Sequence, residues 1–315
     1  MSKKIIAVMG ATGQVGRVIV EDLLKRGHVI RAIGRNERKM RNLLAKGCEV
    51  YLYEFDDVEG LTEAFRDCHS VFCMIPPVKM TPPVKMTPSL KAESEEVFQD
   101  RVGIAIYEAL RRTRVPRVVN LSSLGAELRE GTGPIKGLHK QEERLNDLRT
   151  ITDLIHLRAG YFMENFAMAA PSILYNDLIA MPINANVPIE MVATRDLGWK
   201  IADLLERTDP FHHQVFDFVG PRAISYEEAT AILAQILDKP DLRYVENTFE
   251  EERDFLLKAG FEQESIASLL EMFQAINLGK LHPTQKLTLE HRGTTTFEEF
   301  AQMFVHRMFS TAARR

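Results

Sequence analysis

Residues 5–16 of the chain read IIAVMGATGQVG. Five apolar residues lead directly into three glycines spaced three apart, and this pattern predicts a buried strand, a tight turn and the start of a helix. Gly10 permits the sharp turn, Gly13 leaves the backbone open to a diphosphate, and Gly16 lets the helix pack closely on the strand. The helix N-terminus offers free N–H groups and a positive dipole to phosphates. The sequence therefore predicts a dinucleotide-binding turn with the contact residues Gly10, Thr12, Gly13, Gln14, Val15 and Gly16.

The end of the second predicted strand indicates which dinucleotide is bound. An NAD site places Asp or Glu there, where the carboxylate accepts a hydrogen bond from the ribose 2′-hydroxyl. Here the strand VIRAI ends in Gly34-Arg35-Asn36, and the Arg35 guanidinium suits a 2′-phosphate. Asn36 is assigned to the same site, and Lys39 or Arg38 either assists Arg35 or faces solvent. We therefore expect NADP(H), with NADPH bound at least about tenfold more tightly than NADH; the alternative for Arg35 is an exposed loop arginine.

Short apolar runs alternate with amphipathic helical stretches over the first 160 residues. Such alternation forces parallel strand pairing through right-handed crossovers, so residues 1–160 are predicted to form a doubly wound Rossmann α/β domain. Residues 161–315 are predicted to form a smaller, mostly helical substrate-side region, partly interleaved with the first. The predicted strands are residues 5–9, 29–33, 49–53, 70–75, 117–121, 152–157 and 214–219, and the predicted helices of the first domain are 14–26, 37–46, 61–66, 93–112 and 140–148.

Composition and charge narrow the class of protein. The chain has 315 residues, of which 45% are hydrophobic and 27% charged, as in ordinary globular proteins. A formal net charge of −4 gives no basic surface over the chain, so direct nucleic-acid binding is not expected. No run approaches the roughly 20 apolar residues of a membrane span, and the cysteines lack metal-ligand spacing. We expect a cytoplasmic protein with no metal and no membrane partner.

The hexapeptide PVKMTP occurs twice in tandem, at residues 77–82 and 83–88. Two copies are too few for a repeat architecture. The prolines block helix and sheet bonding, which favours an extended surface loop. The alternative is a lid, because the segment follows the fourth strand at the carboxyl end, where ligands of open α/β sheets bind.

Several motifs together resemble the NmrA-like family of atypical short-chain dehydrogenases/reductases. They are GATGQVG at 10–16, GRNERK at 34–39, VVNLSS at 118–123, the Lys140-x-x-Glu143 pair, and RAGYFMEN at 158–165. The family includes type 2 NAD(P)H:quinone oxidoreductases, isoflavone-reductase-like enzymes and catalytically silent redox sensors. Fold and cofactor transfer well across such a family, whereas activity does not.

The resemblance also implies where the rest of the cofactor would lie. The adenine would contact residues 54–55, and the nicotinamide-side ribose would contact residues 74–76. Lys140 would reach the ribose hydroxyls, and residues 161–163 would lie beside the nicotinamide and the open substrate cleft. The cofactor residues implied in this way are Glu54, Phe55, Met74, Ile75, Pro76, Ser122, Lys140, Tyr161 and Phe162.

The chain departs from alcohol-oxidising relatives in its proton chemistry. Those enzymes use Tyr-x-x-x-Lys, in which the lysine helps to lower the tyrosine pKa for acid–base catalysis. Four residues before Lys140 stands Lys136, and His139 would point about 100° away on a helix. His139 is better interpreted as an exposed residue at the start of the helix. Lys140 is then the one candidate catalytic residue, and an alcohol dehydrogenase is not expected.

Two functions remain open. The first is an NADPH-dependent reductase of quinones or similar small electrophiles, since hydride transfer to a quinone leaves an anion that water can protonate. Aromatic and soft apolar side chains at residues 161–163 suit a flat substrate, whereas Phe166 and Met168 fit a core stripe better. The second is a non-catalytic redox sensor that binds NADP(H) and acts through a protein partner.

Helix capping is predicted at three places in the second half. Residues 225–228 and 296–299 have the pattern of capping boxes, and Thr194 or Asp196 is predicted to cap the helix at residues 196–206. For Asp196, capping is preferred to a catalytic role. Glu164 and Asn165 either contact cofactor or substrate, or cap the next helix.

Overall fold

The computed structural model describes residues 3–76, 94–211 and 214–312, with side chains as far as residue 306. The tandem hexapeptide, with its loop and lid interpretations, lies outside these residues. Within the described ranges, no helix is both long enough and apolar enough to cross a bilayer.

A seven-stranded parallel sheet forms the centre of the molecule. Its strands are β1 (Ile5–Met9), β2 (Val29–Gly34), β3 (Glu49–Leu52), β4 (Ser70–Met74), β5 (Arg117–Ser123), β6 (Asp153–Ala159) and β10 (Val215–Phe218). Their order is β10-β6-β5-β4-β1-β2-β3, and all pairs are parallel. The strand order reverses between β1 and β4, where an open α/β sheet forms its binding crevice. The predicted doubly wound fold is confirmed.

Helices cover both faces of this sheet, which explains why its strands show little polar alternation. Residues from α1 (Gln14–Lys25), α2 (Glu37–Ala45) and α7 (Thr194–Glu206) share one core with Ile6, Val8 and Phe72. On the opposite face, α3 (Val58–Phe65), α4 (Glu95–Thr113) and α5 (Ile135–Asn146) share a second core with Ala7, Met9 and Val71. The alternation of neighbouring β1 residues between the two cores follows from the two-residue period of a strand.

The part of the chain after residue 160 has a third hydrophobic core of its own, rich in aromatic side chains. Two short parallel pairs lie in this part, β7 (Tyr161–Phe162) with β9 (Met191–Val192) and β8 (Leu178–Met181) with β11 (Arg243–Glu246). Its helices are α6 (Ala170–Asn176), α8 (Tyr226–Leu237), α9 (Phe249–Lys258), α10 (Gln263–Asn277) and α11 (Phe297–Ala312), with 3-10 turns at Met163–Ala169 and Leu289–His291.

The two halves of the chain are interleaved. Strand β10 pairs with β6 at the edge of the central sheet, with Asp217 opposite Arg158. Helix α7 packs along α1 and buries Leu197 and Ile201 in the core shared with β1. Both elements come from after residue 160, so the sheet is completed by the second half of the sequence.

Helix α5 differs most from its predicted bounds. It begins at Ile135, five residues before the predicted start at 140. Gly137 lowers the helix propensity of this first turn, so the residue pattern does not predict a helix there. A Cβ atom on Gly137 would lie only 1.9 Å from Gln99 Oε1, so the glycine allows α5 to approach α4.

The predicted caps have mixed outcomes. Thr296 and Glu299 exchange both capping-box hydrogen bonds, and Ser225 Oγ accepts from the N–H of Glu228 at 3.2 Å. The prediction that Thr194 or Asp196 is the N-cap residue is wrong, because α7 begins at Thr194 and its N-cap residue is Ala193. The buried Asp196 carboxylate instead accepts hydrogen bonds from Thr295 N and Oγ1, at 2.7 and 2.6 Å, and ties α7 to the segment before α11.

Candidate functional site

Four loops meet at the carboxyl edge of the sheet. Strands β1, β4, β5 and β6 are neighbours, so residues 10–16, 74–76, 122–124 and 161–162, which end or follow these strands, lie along one edge. This edge includes the reversal point between β1 and β4, the usual ligand crevice of such sheets.

The glycine turn has the predicted backbone conformation. Gly10 has φ +61°, and its carbonyl oxygen accepts a hydrogen bond from Gly13 N at 2.8 Å. A Cβ atom on Gly16 would lie 2.2 Å from that same oxygen. A side chain at Gly16 would therefore push helix α1 away from the turn.

The N-terminus of α1 is open to a ligand. Gly13 is the N-cap residue and has no side chain, and within the described ranges no side-chain hydrogen bond caps this helix. The first turn carries no acidic residue. The N–H groups at the start of the helix and its positive dipole therefore face the crevice, and the first turn of α1 places no carboxylate among them, which suits a bound diphosphate.

Arg35 lies at the end of β2, beside the end of β3. Its Nη1 atom is 3.5 Å from Glu54 Oε2, and its guanidinium carbon is 5.4 Å from the centroid of the Phe55 ring. The structure thus brings together three residues that the sequence assigned separately to the 2′-phosphate and the adenine. Stacking on an aromatic face holds the guanidinium while its N–H groups stay available.

Asn36 has a structural role in this region. Its side chain is the N-cap of α2 and accepts a hydrogen bond from Lys39 N at 3.0 Å. The side chain of Lys39 is exposed. Asn36 therefore fixes the start of the helix that follows Arg35, and its assignment to the cofactor stays a prediction.

The part of the edge formed by the ends of β4 and β6 is apolar and aromatic. Met74 packs on the glycine turn, since a Cβ atom on Gly10 would lie 3.0 Å from its sulfur. The hydroxyl groups of Tyr161 and Tyr226 are 2.8 Å apart. Burial raises the pKa of Tyr161, so its phenol stays protonated at neutral pH. Phe162 is half-buried against the core that contains Ala11, and Ile75 and Pro76 are buried.

Lys140 lies on the side of α5 that packs against α4. Its Nζ atom is 2.5 Å from Glu96 Oε1 and 3.5 Å from Asp100 Oδ2, and the hydrogen bond to Glu96 raises the pKa of the ammonium. Lys140 also lines a cavity of about 600 Å³ between α4, α5, α9 and α10. Contact with a ribose would require Lys140 to leave both carboxylates, so its catalytic role remains a prediction.

A buried ionic network surrounds Ser122, a residue predicted to contact the cofactor. Ser122 Oγ donates to Glu142 Oε1 at 2.5 Å, and Arg158 binds both oxygens of Glu142 at 2.9 and 2.7 Å. Although burial works against the charge, the hydrogen bonds from Arg158 hold the pKa of Glu142 below its ordinary value. Glu142 and Lys140 lie about 200° apart around the helix, so α5 turns Glu142, and not Lys140, toward the end of β5.

Four other candidate residues differ in their exposure and contacts. The expectation of an exposed His139 is wrong: its side chain is 13% exposed, and Nδ1 donates to the Ala126 carbonyl oxygen at 2.8 Å. Phe166 is a core residue as expected, whereas Met168 is exposed. Glu164 caps α7 across the chain, because its carboxylate accepts from Thr194 N at 3.0 and 3.1 Å.

A parallel open sheet with a glycine-rich turn after its first strand defines a Rossmann-type α/β protein. Within that class, the chain belongs to the NmrA-like family, whose model matches residues 2–301.

Individual relatives share less than a quarter of their residues with this chain. The NAD(P)H azoreductase of Xenophilus azovorans is 24% identical over 303 residues, which cover 94% of this chain and 96% of the azoreductase. The structure of an NADPH-dependent quinone oxidoreductase from Escherichia coli, complexed with NADPH, is similar with a TM-score of 0.75 at 20% identity, covering 95% of this chain and 99% of that one. The triphenylmethane reductase of Citrobacter sp., complexed with NADP(H), has a TM-score of 0.73 at 21% identity, with the same coverage. The two structures support the fold over nearly the whole chain.

Proposed function

We propose that the protein is an NADPH-dependent reductase that transfers hydride to a quinone or a similar small electrophile. The observation that carries the proposal is the open N-terminus of α1 behind the glycine turn, at the carboxyl edge of the sheet. The names of the relatives support the reaction class, because they describe an azoreductase, a quinone oxidoreductase and a triphenylmethane reductase, two of them in complex with NADPH or NADP(H).

The residues at the edge fit the parts of NADP(H). The space that a Cβ atom on Gly16 would close, together with the uncapped helix start, suits the diphosphate. Arg35 supplies a cation for the 2′-phosphate, and Phe55 offers an aromatic face beside it. The cofactor residues Ile75, Pro76, Tyr161 and Phe162 provide apolar surface for the nicotinamide half.

When bound, the nicotinamide supplies a hydride, that is, two electrons and one proton. A quinone that receives them needs one more proton, which water can deliver to the hydroquinonate. The chain therefore has to orient the two reactants and keep them dry, and it needs no tyrosine acid in the place of Lys136. The Tyr161 hydroxyl is engaged by Tyr226 at 2.8 Å, which fixes the orientation of the Tyr161 ring beside the edge of the sheet.

We expect NADPH oxidation that depends on added benzoquinone or naphthoquinone. The loss of near-ultraviolet NADPH absorbance measures this oxidation. Arg35→Gln should raise KM for NADPH at least about tenfold while leaving kcat within about threefold, because Arg35 is placed at the phosphate and not at the reacting ring. Saturable NADPH binding with no turnover across a panel of quinones would contradict the reductase proposal and favour a binding protein.

A further inference from the structure

The carboxylate of Glu54 occupies the space next to the group proposed to recognise the 2′-phosphate. Its Oε2 atom is 3.5 Å from Arg35 Nη1, and both residues lie at the carboxyl edge of the sheet, at the ends of neighbouring strands β2 and β3. The side chain of Glu54 is 67% exposed and that of Arg35 is 33% exposed. The pair is therefore open to solvent and to any ligand that reaches Arg35.

The other nearby carboxylates have partners elsewhere. Glu37 is 2.6 Å from Arg41, Glu63 accepts from the Tyr53 hydroxyl at 2.7 Å, and Asp57 caps α3. In the part of the chain that the structure describes, Glu54 is the one carboxylate that forms an ion pair with Arg35. A ligand phosphate that binds at Nη1 of Arg35 therefore competes with Glu54, and among the described residues no other carboxylate is paired with that guanidinium.

We infer that Glu54 and Arg35 act as a two-residue selector between NADPH and NADH, in which Glu54 competes with the 2′-phosphate for the Arg35 guanidinium. The inference rests on the proposed cofactor site and adds to it a residue that weakens the NADPH preference. A carboxylate and a phosphate that accept from the same Arg35 nitrogen exclude each other, so a 2′-phosphate bound at Nη1 displaces Glu54 from Arg35. NADH carries no 2′-phosphate, so the ion pair can persist beside it.

Glu54 can also make a favourable contact with NADH. A carboxylate has two oxygens and accepts hydrogen bonds at both, and Arg35 approaches only Oε2. The other oxygen is available to the 2′-hydroxyl of NADH, the group that an acidic residue normally recognises at such sites. In this chain the acid stands at the end of β3, one strand away from its usual place at the end of β2. Glu54 thus lowers the affinity for NADPH and supports the binding of NADH.

The test is a set of equilibrium titrations with NADPH and NADH at fixed low ionic strength. Glu54→Gln keeps the shape and removes the charge, and it should tighten NADPH binding about threefold while NADH binding stays equal or weakens. Arg35→Gln should weaken NADPH binding at least about tenfold and NADH binding by less than about threefold. In the Arg35→Gln background, adding Glu54→Gln should change NADPH affinity by less than the threefold seen alone, since the two residues act on one contact.

Glu37→Gln is the matched control. It removes the same charge two positions from Arg35, but Glu37 is held by Arg41. Competition at one guanidinium predicts that Glu54→Gln tightens NADPH binding and Glu37→Gln does not. Equal shifts in the two variants, or no shift in Glu54→Gln, would overturn the selector while leaving the cofactor site in place. Failure of the wild type to bind either nucleotide would instead overturn the proposed function, and the selector with it.

Discussion

At the scale of single residues, the site depends most on what Gly16 lacks. A Cβ atom there would lie 2.2 Å from the carbonyl oxygen of Gly10, which is backbone and cannot rotate out of the way. The same oxygen accepts the hydrogen bond that closes the turn. Any side chain at Gly16 must therefore displace the helix start that is proposed to hold the diphosphate.

Gly16→Ala is expected to lower the free energy of unfolding by about 1–3 kcal/mol, the usual cost of forcing an extra methyl into packed structure. It should also weaken NADPH binding, which a titration beside a denaturation curve would measure. Gly27→Ala is the control: its φ of +88° disfavours alanine, but a Cβ atom there meets nothing within 4 Å. Gly27→Ala should lower the free energy of unfolding by about 1–2 kcal/mol and leave the affinity for NADPH unchanged. Equal NADPH affinities in the two variants would contradict the role of Gly16.

Residue contacts differed in how far they could be predicted. The turn at residues 10–16 is local, and its glycine spacing alone indicates the backbone that the structure shows. The network of Ser122, Glu142 and Arg158 joins residues that are 20 and 16 positions apart. Its existence depends on which face α5 turns toward β5, and residue types alone do not specify that face.

At the scale of elements, β5, β6 and the end of α5 share a buried histidine. His156 Nε2 donates to Asn146 Oδ1 at 3.1 Å, and Asn120 Nδ2 donates to His156 Nδ1 at 3.1 Å. This arrangement satisfies the neutral ring, and a second ring proton would face the amide of Asn120. Burial accordingly lowers the pKa of His156 to about 4.

The free energy of unfolding should therefore begin to fall at a higher pH than the one at which carboxylates become protonated. An unfolded histidine has a pKa near 6.5, so between about pH 6.5 and about pH 4 the unfolded chain binds the extra proton. The contribution of the neutral His156 to the free energy of unfolding is complete above about pH 6.5. Roughly 3 kcal/mol of that free energy is lost as the pH falls to about 4. Denaturation curves across this range should show a shallower pH dependence for His156→Gln than for the wild type. The exposed His282→Gln should behave as the wild type does, and parallel curves for all three proteins would refute the assignment.

The order of helices and strands could be predicted because strand and helix periods differ and glycines mark the ends. The predicted start of α5 was wrong because Gly137 is present for close contact with Gln99, a reason that becomes visible only when α4 is in place. Similarly, Asp196 lies in the first turn of its helix as a capping residue would, yet its partner is Thr295, 99 positions away. Contacts of that range are set by packing and not by local pattern.

At the scale of the whole molecule, the two halves cannot be separated at residue 160 without opening the central sheet. Strand β10 and helix α7 return from the second half to complete the first core, while the aromatic core of the second half packs beside Tyr161. The loops at the carboxyl edge of β1, β4, β5 and β6 are thus supported from both halves. We infer that a bound cofactor would lie across this edge, with Arg35 at one end and Tyr161 toward the other.

A direct titration of the purified chain with NADPH tests most simply whether this edge of the sheet binds NADP(H). We expect saturable NADPH binding, at least about tenfold tighter than that of NADH, measured through NADPH fluorescence or calorimetry. Equal affinity for the two nucleotides would contradict the role of Arg35. The absence of saturable binding of either nucleotide would contradict the site as a whole.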